Sequence, residues 1–220
     1  MIFNKRFIFV LGGGVLLLAL LNLINDLLGR PFWTITRIIY LGYDNNFSAW
    51  YSSMLLFISG MIFLECYFLG KKDIQNSFSL LLFSLLLFFM SSDEISQFHE
   101  IIGGLVAKYM GISSKSYAQH SSWVWIGGPI ILIIFMSFLC LLKKAFKIIG
   151  NKGILIIGLG FSSIILGGVI LEATINFLNH QNLQWIWDIE VIIEESLEML
   201  GSLLIAYAGI MLLDSLKEQK

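Results

Sequence analysis

The sequence predicts an all-α integral membrane protein, a six-transmembrane-helix bundle with both termini cytoplasmic and short interfacial helices on the outer side. Three observations lead there. Mean hydropathy is +0.84, with 57% hydrophobic and only 13% charged residues, a composition suited to a surface that faces lipid. Six apolar runs each reach roughly 20 residues, the length that crosses about 30 Å of hydrocarbon at a 1.5 Å rise. Lysine and arginine are lopsided: placing the N-terminus inside puts Lys5, Arg6, Lys71, Lys72, Lys143, Lys144, Lys147, Lys152, Lys217 and Lys220 in the cytoplasm. Only Arg30, Arg37, Lys108 and Lys115 remain outside, and 10 against 4 sets the orientation.

The first span is Phe7–Leu28. It follows Lys5-Arg6 but is longer than the apolar region of a secretion signal and has no small-residue cleavage site, so it stays as a helix. Asn22, Asn25 and Asp26 share a face at its outer end. After Gly29-Arg30-Pro31, residues 32–47 mix isoleucines with Thr34, Thr36 and Arg37, as expected of a short amphipathic helix at the interface. The second span is Trp50–Leu69.

The third span runs from Ser77 to about Ile102. It is apolar to Met90 and then reads SSDEISQFHE. Asp93, Ser96, Gln97 and Glu100 fall on one stripe, with His99 on the next, and Gly103-Gly104 is expected to end the helix. The fourth span, Trp123–Leu142, opens on WVWIGGP; Gly127, Gly128 and Pro129 lie too deep for a loop and predict a break within the membrane.

The fifth span, Gly153–Leu178, carries the small-residue pairs Gly158/Ser162 and Ser163/Gly167, suited to close helix contact. Glu172, Asn176 and His180 line up toward its outer end. The sixth, Trp185–Leu213, holds Asp188, Glu190, Glu194, Glu195 and Glu198 in its first half. Glu190, Glu194, Glu198 and Gly201 form one stripe; Asp188, Glu195 and Ser202 form another beside it. No loop is long enough for a further domain, so residues 1–220 read as one polytopic membrane domain.

Under this topology 11 of the 15 acids, all three histidines and all six tryptophans lie in the outer half. An acidic outer loop would account for Asp44, but not for Glu172, Glu194 or Glu198, which helix rise places roughly 9 to 20 Å into the bilayer. Carboxylates facing lipid are costly, so these acids should point into the bundle. They cannot all stay ionised together; with no lysine or arginine at their depth, they must share protons or bind a cation.

The candidate metal ligands are Glu94, His99, Glu172, Glu194 and Glu198, a carboxylate-rich set with histidine that suits a divalent ion such as zinc, iron, manganese or calcium. Glu195 and Asp93, on neighbouring stripes, are the candidate general bases. Glu172 is expected to face Glu194 or Glu198, with another helix close against Gly201.

Several patterns are missing. There is no HExxH, GxSxG or P-loop, no Glu-x-x-His pair as di-iron bundles need, and three histidines cannot fill the boxes of membrane hydroxylases. Glu194-Glu195 lacks the arginine that follows such a pair in glutamate intramembrane proteases; that position is Met199. Cys66 and Cys140 form no CxxC and imply neither disulfide nor redox pair.

The expectation is a bacterial inner (plasma) membrane protein: a metal-assisted hydrolase or transferase acting on a lipid or lipid-linked substrate from the outer side. The alternatives are a cation or proton pathway using the same acids, and a non-catalytic sensor or partner subunit. A pathway would need polar residues through the cytoplasmic half, where the sixth span reads LLIAYAGIMLL, or else the axis of an oligomer. Membrane lipids are the expected partners, homo-oligomerisation is left open, and the net charge of −1 calls for no nucleic acid.

Overall fold

The computed structural model describes residues 5–70, 77–111, 122–174 and 184–218, and among these the chain is all helix, turn and loop. The helices are α1 (Lys5–Leu27), α2 (Trp33–Ile39), α3 (Phe47–Gly70), α4 (Phe78–Ser96), α5 (Phe98–Tyr109) and α6 (Ser122–Ala145). A 3₁₀ turn, Phe146–Ile149, leads into α7 (Gly150–Ile165), which continues through a π-helical segment, Leu166–Leu171. The last helix is α8 (Gln184–Glu218).

Among the described residues, five stretches are long and apolar enough to cross a membrane: Arg6–Leu27, Phe47–Gly70, Phe78–Ser96, Gly127–Thr174 and Asp188–Glu218. The fourth is 48 residues long and covers what the sequence predicts as two spans. Inside it, Gly150 adopts φ 69°, a left-handed conformation open to glycine without a Cβ clash. The chain reverses there and α7 packs back against α6.

α8 is the axis of the bundle. Its 35 residues span about 50 Å, and it packs against α1, α3 and α7. Lipid supplies no hydrophobic force between helices, so small residues and hydroxyl bonds hold them together. Gly160 of α7 and Gly201 of α8 meet backbone to backbone: a Cβ on Gly201 would lie 2.7 Å from the Gly160 carbonyl oxygen. Ser163 Oγ donates to the Leu197 carbonyl (2.6 Å) and Ser59 Oγ to that of Ser202 (3.1 Å). Ser53 and Ser91 bond across α3 and α4 at 3.0 Å. The close helix contact expected at Gly201 is therefore present, and α7 supplies it. Gly158, by contrast, has open space on its Cβ side, so only part of the predicted small-residue pairing lies on the contact face.

Two local expectations are corrected. The third span does not end at Gly103-Gly104; α5 runs through both glycines, and the break falls at Gln97, which sits at φ 54°, ψ 36°. Gly103 instead lets α5 approach α6, where a Cβ would lie 2.8 Å from the Trp123 backbone nitrogen. Nor does Gly127-Gly128-Pro129 break the fourth span, because α6 passes through Pro129 as helix. Gly128 serves contact there, with a Cβ position 2.9 Å from Val169 Cγ1.

A polar network ties α1 to α2 and α8 at the acid-bearing end. Arg30, at φ 54°, places Nε 2.7 Å from Asp26 Oδ1 and Nη2 2.8 Å from Asp188 Oδ1. Its guanidinium stacks 4.5 Å from the Tyr40 ring centroid. Burial alone would lower the pKa of Arg30, but the Asp26 hydrogen bond and the surrounding negative charge outweigh it and raise the value. Burial likewise pushes the Tyr40 hydroxyl up to about 12. Asn25 Nδ2 donates to Thr36 Oγ1 at 3.0 Å, and the Leu41 amide donates to Asn22 Oδ1 at 3.0 Å.

Candidate functional site

Four helices and one turn deliver acids to one cavity of about 400 Å³. α4 supplies Asp93 and Glu94, α5 supplies His99 and Glu100, the end of α7 supplies Glu172, and α8 supplies Glu194, Glu195 and Glu198. The turn before α3 adds Asp44, and α3 itself adds Ser52. No lysine or arginine stands among the described lining residues. The deeper wall is apolar and includes Leu56, Leu86, Ile131, Ile134, Phe135 and Ile164. Every residue singled out from the sequence as a ligand or base lines this cavity.

The π segment explains how α7 reaches α8 so closely. One extra residue per turn displaces the chain locally, a device common at functional sites. Here it presents Gly167 and Gly168. A Cβ on Gly167 would lie 2.8 Å from the Glu194 carbonyl oxygen, and one on Gly168 would lie 2.8 Å from Glu198 Oε1. Glycine at both positions lets the backbone of α7 seat against the acids of α8.

Glu194 is 5% exposed and lies against the Glu172 side chain, which accepts the indole N–H of Trp123 at 3.2 Å. Two carboxyls in that contact share a proton or a cation. This is the facing pair expected from the stripes of the fifth and sixth spans. Glu94 of α4 and Ser52 of α3 meet in the cavity lining.

Asp93 and His99 form a tight unit across the α4–α5 break. Asp93 Oδ2 lies 2.7 Å from His99 Nδ1, and Asp93 Oδ1 accepts the His99 backbone N–H at 3.1 Å. Trp123 packs edge-on against the imidazole, with centroids 4.5 Å apart. Burial would lower the pKa of His99, but the Asp93 hydrogen bond and the negative charges of Asp93, Glu100 and Glu172 leave it raised. Burial first, and then the charges of Asp44 and Glu172, raise that of Glu100. With both oxygens of Asp93 engaged, this carboxylate orients an imidazole, and Nε2 is the ring nitrogen that can exchange a proton with a ligand.

Some acids lie elsewhere. Asp188 pairs with Arg30, outside the cavity lining. Glu190 is 7% exposed, with neither carboxylate oxygen hydrogen-bonded among the described residues. Asn176, His120 and His180 lie outside the described residues. Among those described, no three His, Cys, Asp or Glu side chains are arranged to hold a metal ion; Glu172 and Glu194 turn toward each other, and His99 turns Nδ1 to Asp93. Ser52, Trp123 and the Gly167-Gly168 pair are site residues that the sequence did not single out as such.

Beyond the apolar wall the bundle closes. Phe135 stacks on Phe161 (4.7 Å between centroids), Phe161 meets Phe83 edge-on (5.4 Å), and Phe83 meets Phe63 (4.7 Å). At the far end Lys217 Nζ pairs with Glu65 Oε1 at 2.8 Å.

Fold and site together define a helical, multi-pass membrane protein with an acidic cavity backed by an apolar wall. The chain belongs to the family described as a domain of unknown function, DUF8692, which matches residues 7–212. No curated protein and no solved structure matches it.

Proposed function

We propose that the chain is a membrane-embedded hydrolase or transferase acting on a lipid or lipid-linked group from the outer half of the bilayer. It would have six spans, with both termini in the cytoplasm. The observation that carries this reading is the two-faced cavity, with shared carboxyls and an Asp-oriented histidine at one end and an apolar wall at the other. Such a site suits a ligand with a polar reacting group and a hydrocarbon tail. His99 would take and return a proton through Nε2, with Asp93 holding the ring and stabilising the imidazolium. The Glu172–Glu194 pair, Glu195 and Glu198 would supply or accept the second proton of an acyl or glycosyl transfer.

A divalent ion remains part of the proposal in one respect: bound among Glu94, Glu172, Glu194 and Glu198, it would replace the shared proton after those side chains turn. No step above depends on it. The aromatic seal between Phe135 and Phe63 favours a closed pocket over a conduit.

The test is conversion of lipid. Purified protein in nanodiscs, incubated with a bacterial lipid extract, should deplete one lipid class by mass spectrometry. His99→Gln and Glu194→Gln should each slow this roughly 100-fold, the scale of lost acid–base catalysis. Identical lipid profiles for wild type and both variants would sink the enzyme reading. Elemental analysis of the same samples decides whether an ion or a proton bridges the acids.

A further inference from the structure

We propose that α5 is a hinged flap over the acidic cavity, held shut by a polar latch between Asp44 and Gln97 together with the Asp93–His99 pair, and that opening it exposes the cavity to the bilayer. α4 and α5 would be a single helix but for Gln97, whose left-handed backbone (φ 54°) is unfavourable for a residue with a side chain. Such a conformation persists where neighbours over-determine it, and it clusters at switch regions. Two bonds do so here. The Gln97 amide donates to the Asp93 carbonyl at 2.7 Å, and the Gln97 side-chain amide donates to the Asp44 carboxylate.

The two sides of the latch differ in anchorage. Asp44 sits in a turn fixed from two directions, by Leu41 N–H on Asn22 Oδ1 (3.0 Å) and by Asn46 Nδ2 on the Tyr40 carbonyl (2.6 Å). Gln97 is the hinge itself. Beyond it, α5 packs chiefly on α6, through Gly103 against Trp123. Phe98, His99, Glu100, Ile102, Gly103 and Val106 line the cavity, while Ile101 and Leu105, outside the lining, are 56% and 52% exposed. A flap with exposed apolar residues outside and His99 and Glu100 on its cavity side turns its outer face to lipid tails, so swinging it aside joins the cavity to the membrane interior. That the entering molecule is an amphiphile rests on the function proposed above; the flap does not.

A reporter cysteine measures the opening. In a Cys66→Ala, Cys140→Ser background, Ser202→Cys places the reporter thiol at a position in the cavity lining that is 2% exposed. Its rate of modification by N-ethylmaleimide in nanodiscs reports how often the cavity opens. Gln97→Glu sets like charges across the latch and should raise that rate roughly tenfold, the scale of one lost charge-assisted hydrogen bond. Adding Asp44→Lys restores attraction and should return it to the parental value. Asp44→Ala, which leaves the hinge residue in place, should match Gln97→Glu.

An unchanged rate in Asp44→Ala, or a double variant as fast as Gln97→Glu, would overturn the flap. So would a larger rise with a sulfonated, membrane-impermeant maleimide, since that means opening to water. Lipid conversion measured alongside separates the two ideas: altered labelling without any conversion leaves the flap and removes the enzyme, and the reverse does the opposite.

Discussion

At the scale of residues, Asp93 and His99, to which the proposed chemistry is assigned, also pin the fold, because their contacts straddle the break between α4 and α5. The sign of the pH dependence follows. The pKa of His99 is raised in the folded protein, so the pair's contribution is fully present below the ordinary histidine value of about 6.5 and is lost as pH rises through the raised value. Glu100, also raised, acts in the same direction: its contribution is full below the ordinary carboxyl range and lost as pH rises through its raised value. The melting temperature of the purified protein should therefore fall as pH is taken upward from mildly acidic values. In His99→Gln that slope should flatten, with a loss of about 1 kcal/mol at low pH for a charge-assisted bond on a side chain about a third exposed. Equal slopes in the two proteins would show that the pair does not contribute to stability.

At the scale of elements, the close approach of α7 to α8 depends on which glycines face backbone and which face open space. Gly167→Ala would press a methyl group onto the Glu194 carbonyl oxygen, a rigid neighbour. About 1–3 kcal/mol of overpacking cost is expected, read as a lower melting temperature. Gly160→Ala should behave similarly, because Gly201 backbone lies opposite it. Gly158→Ala has nothing to meet and should gain roughly 0.5–1 kcal/mol, the helical advantage of alanine over glycine. Gly168→Ala would meet the movable end of Glu198, so its effect should fall on the placement of that carboxylate more than on stability. A ranking in which Gly158→Ala is the most damaging would contradict the packing described. The sequence placed glycines along α7 but could not say which faced α8, because a π segment shifts the helical register and leaves no compositional trace.

At the scale of the whole molecule, what could be read from sequence was periodic, and what could not was long-range. Apolar runs outlined the membrane helices, and the i, i+4 stripes put Glu172, Glu194 and Glu198 toward one another, since both signals repeat within a single helix. Gln97 gave no warning of a break, because a non-glycine left-handed residue is chosen by its surroundings. Gly103-Gly104 and Gly127-Gly128-Pro129 looked like breaks, and tertiary contact with Trp123 and Val169 makes the glycines packing sites instead. Arg30 reads in the sequence only as one of four outer basic residues; its partner Asp188 lies 158 residues away. That pairing matters for orientation. Arg30, Asp26 and Asp188 form a compensated cluster at the acid-bearing end, whereas Lys143, Lys144 and Lys147 fall where α6 turns into α7. Under the orientation proposed above, the positive-inside rule would place that turn and its basic residues in the cytoplasm. In a Cys66→Ala, Cys140→Ser background, a cysteine at the exposed position Asn45 should react with an impermeant maleimide in intact cells, and one at the exposed position Asn151 only after lysis. Reaction at Asn151 from outside would invert the bundle, carry the acidic cavity to the cytoplasmic leaflet, and require a substrate drawn from that side.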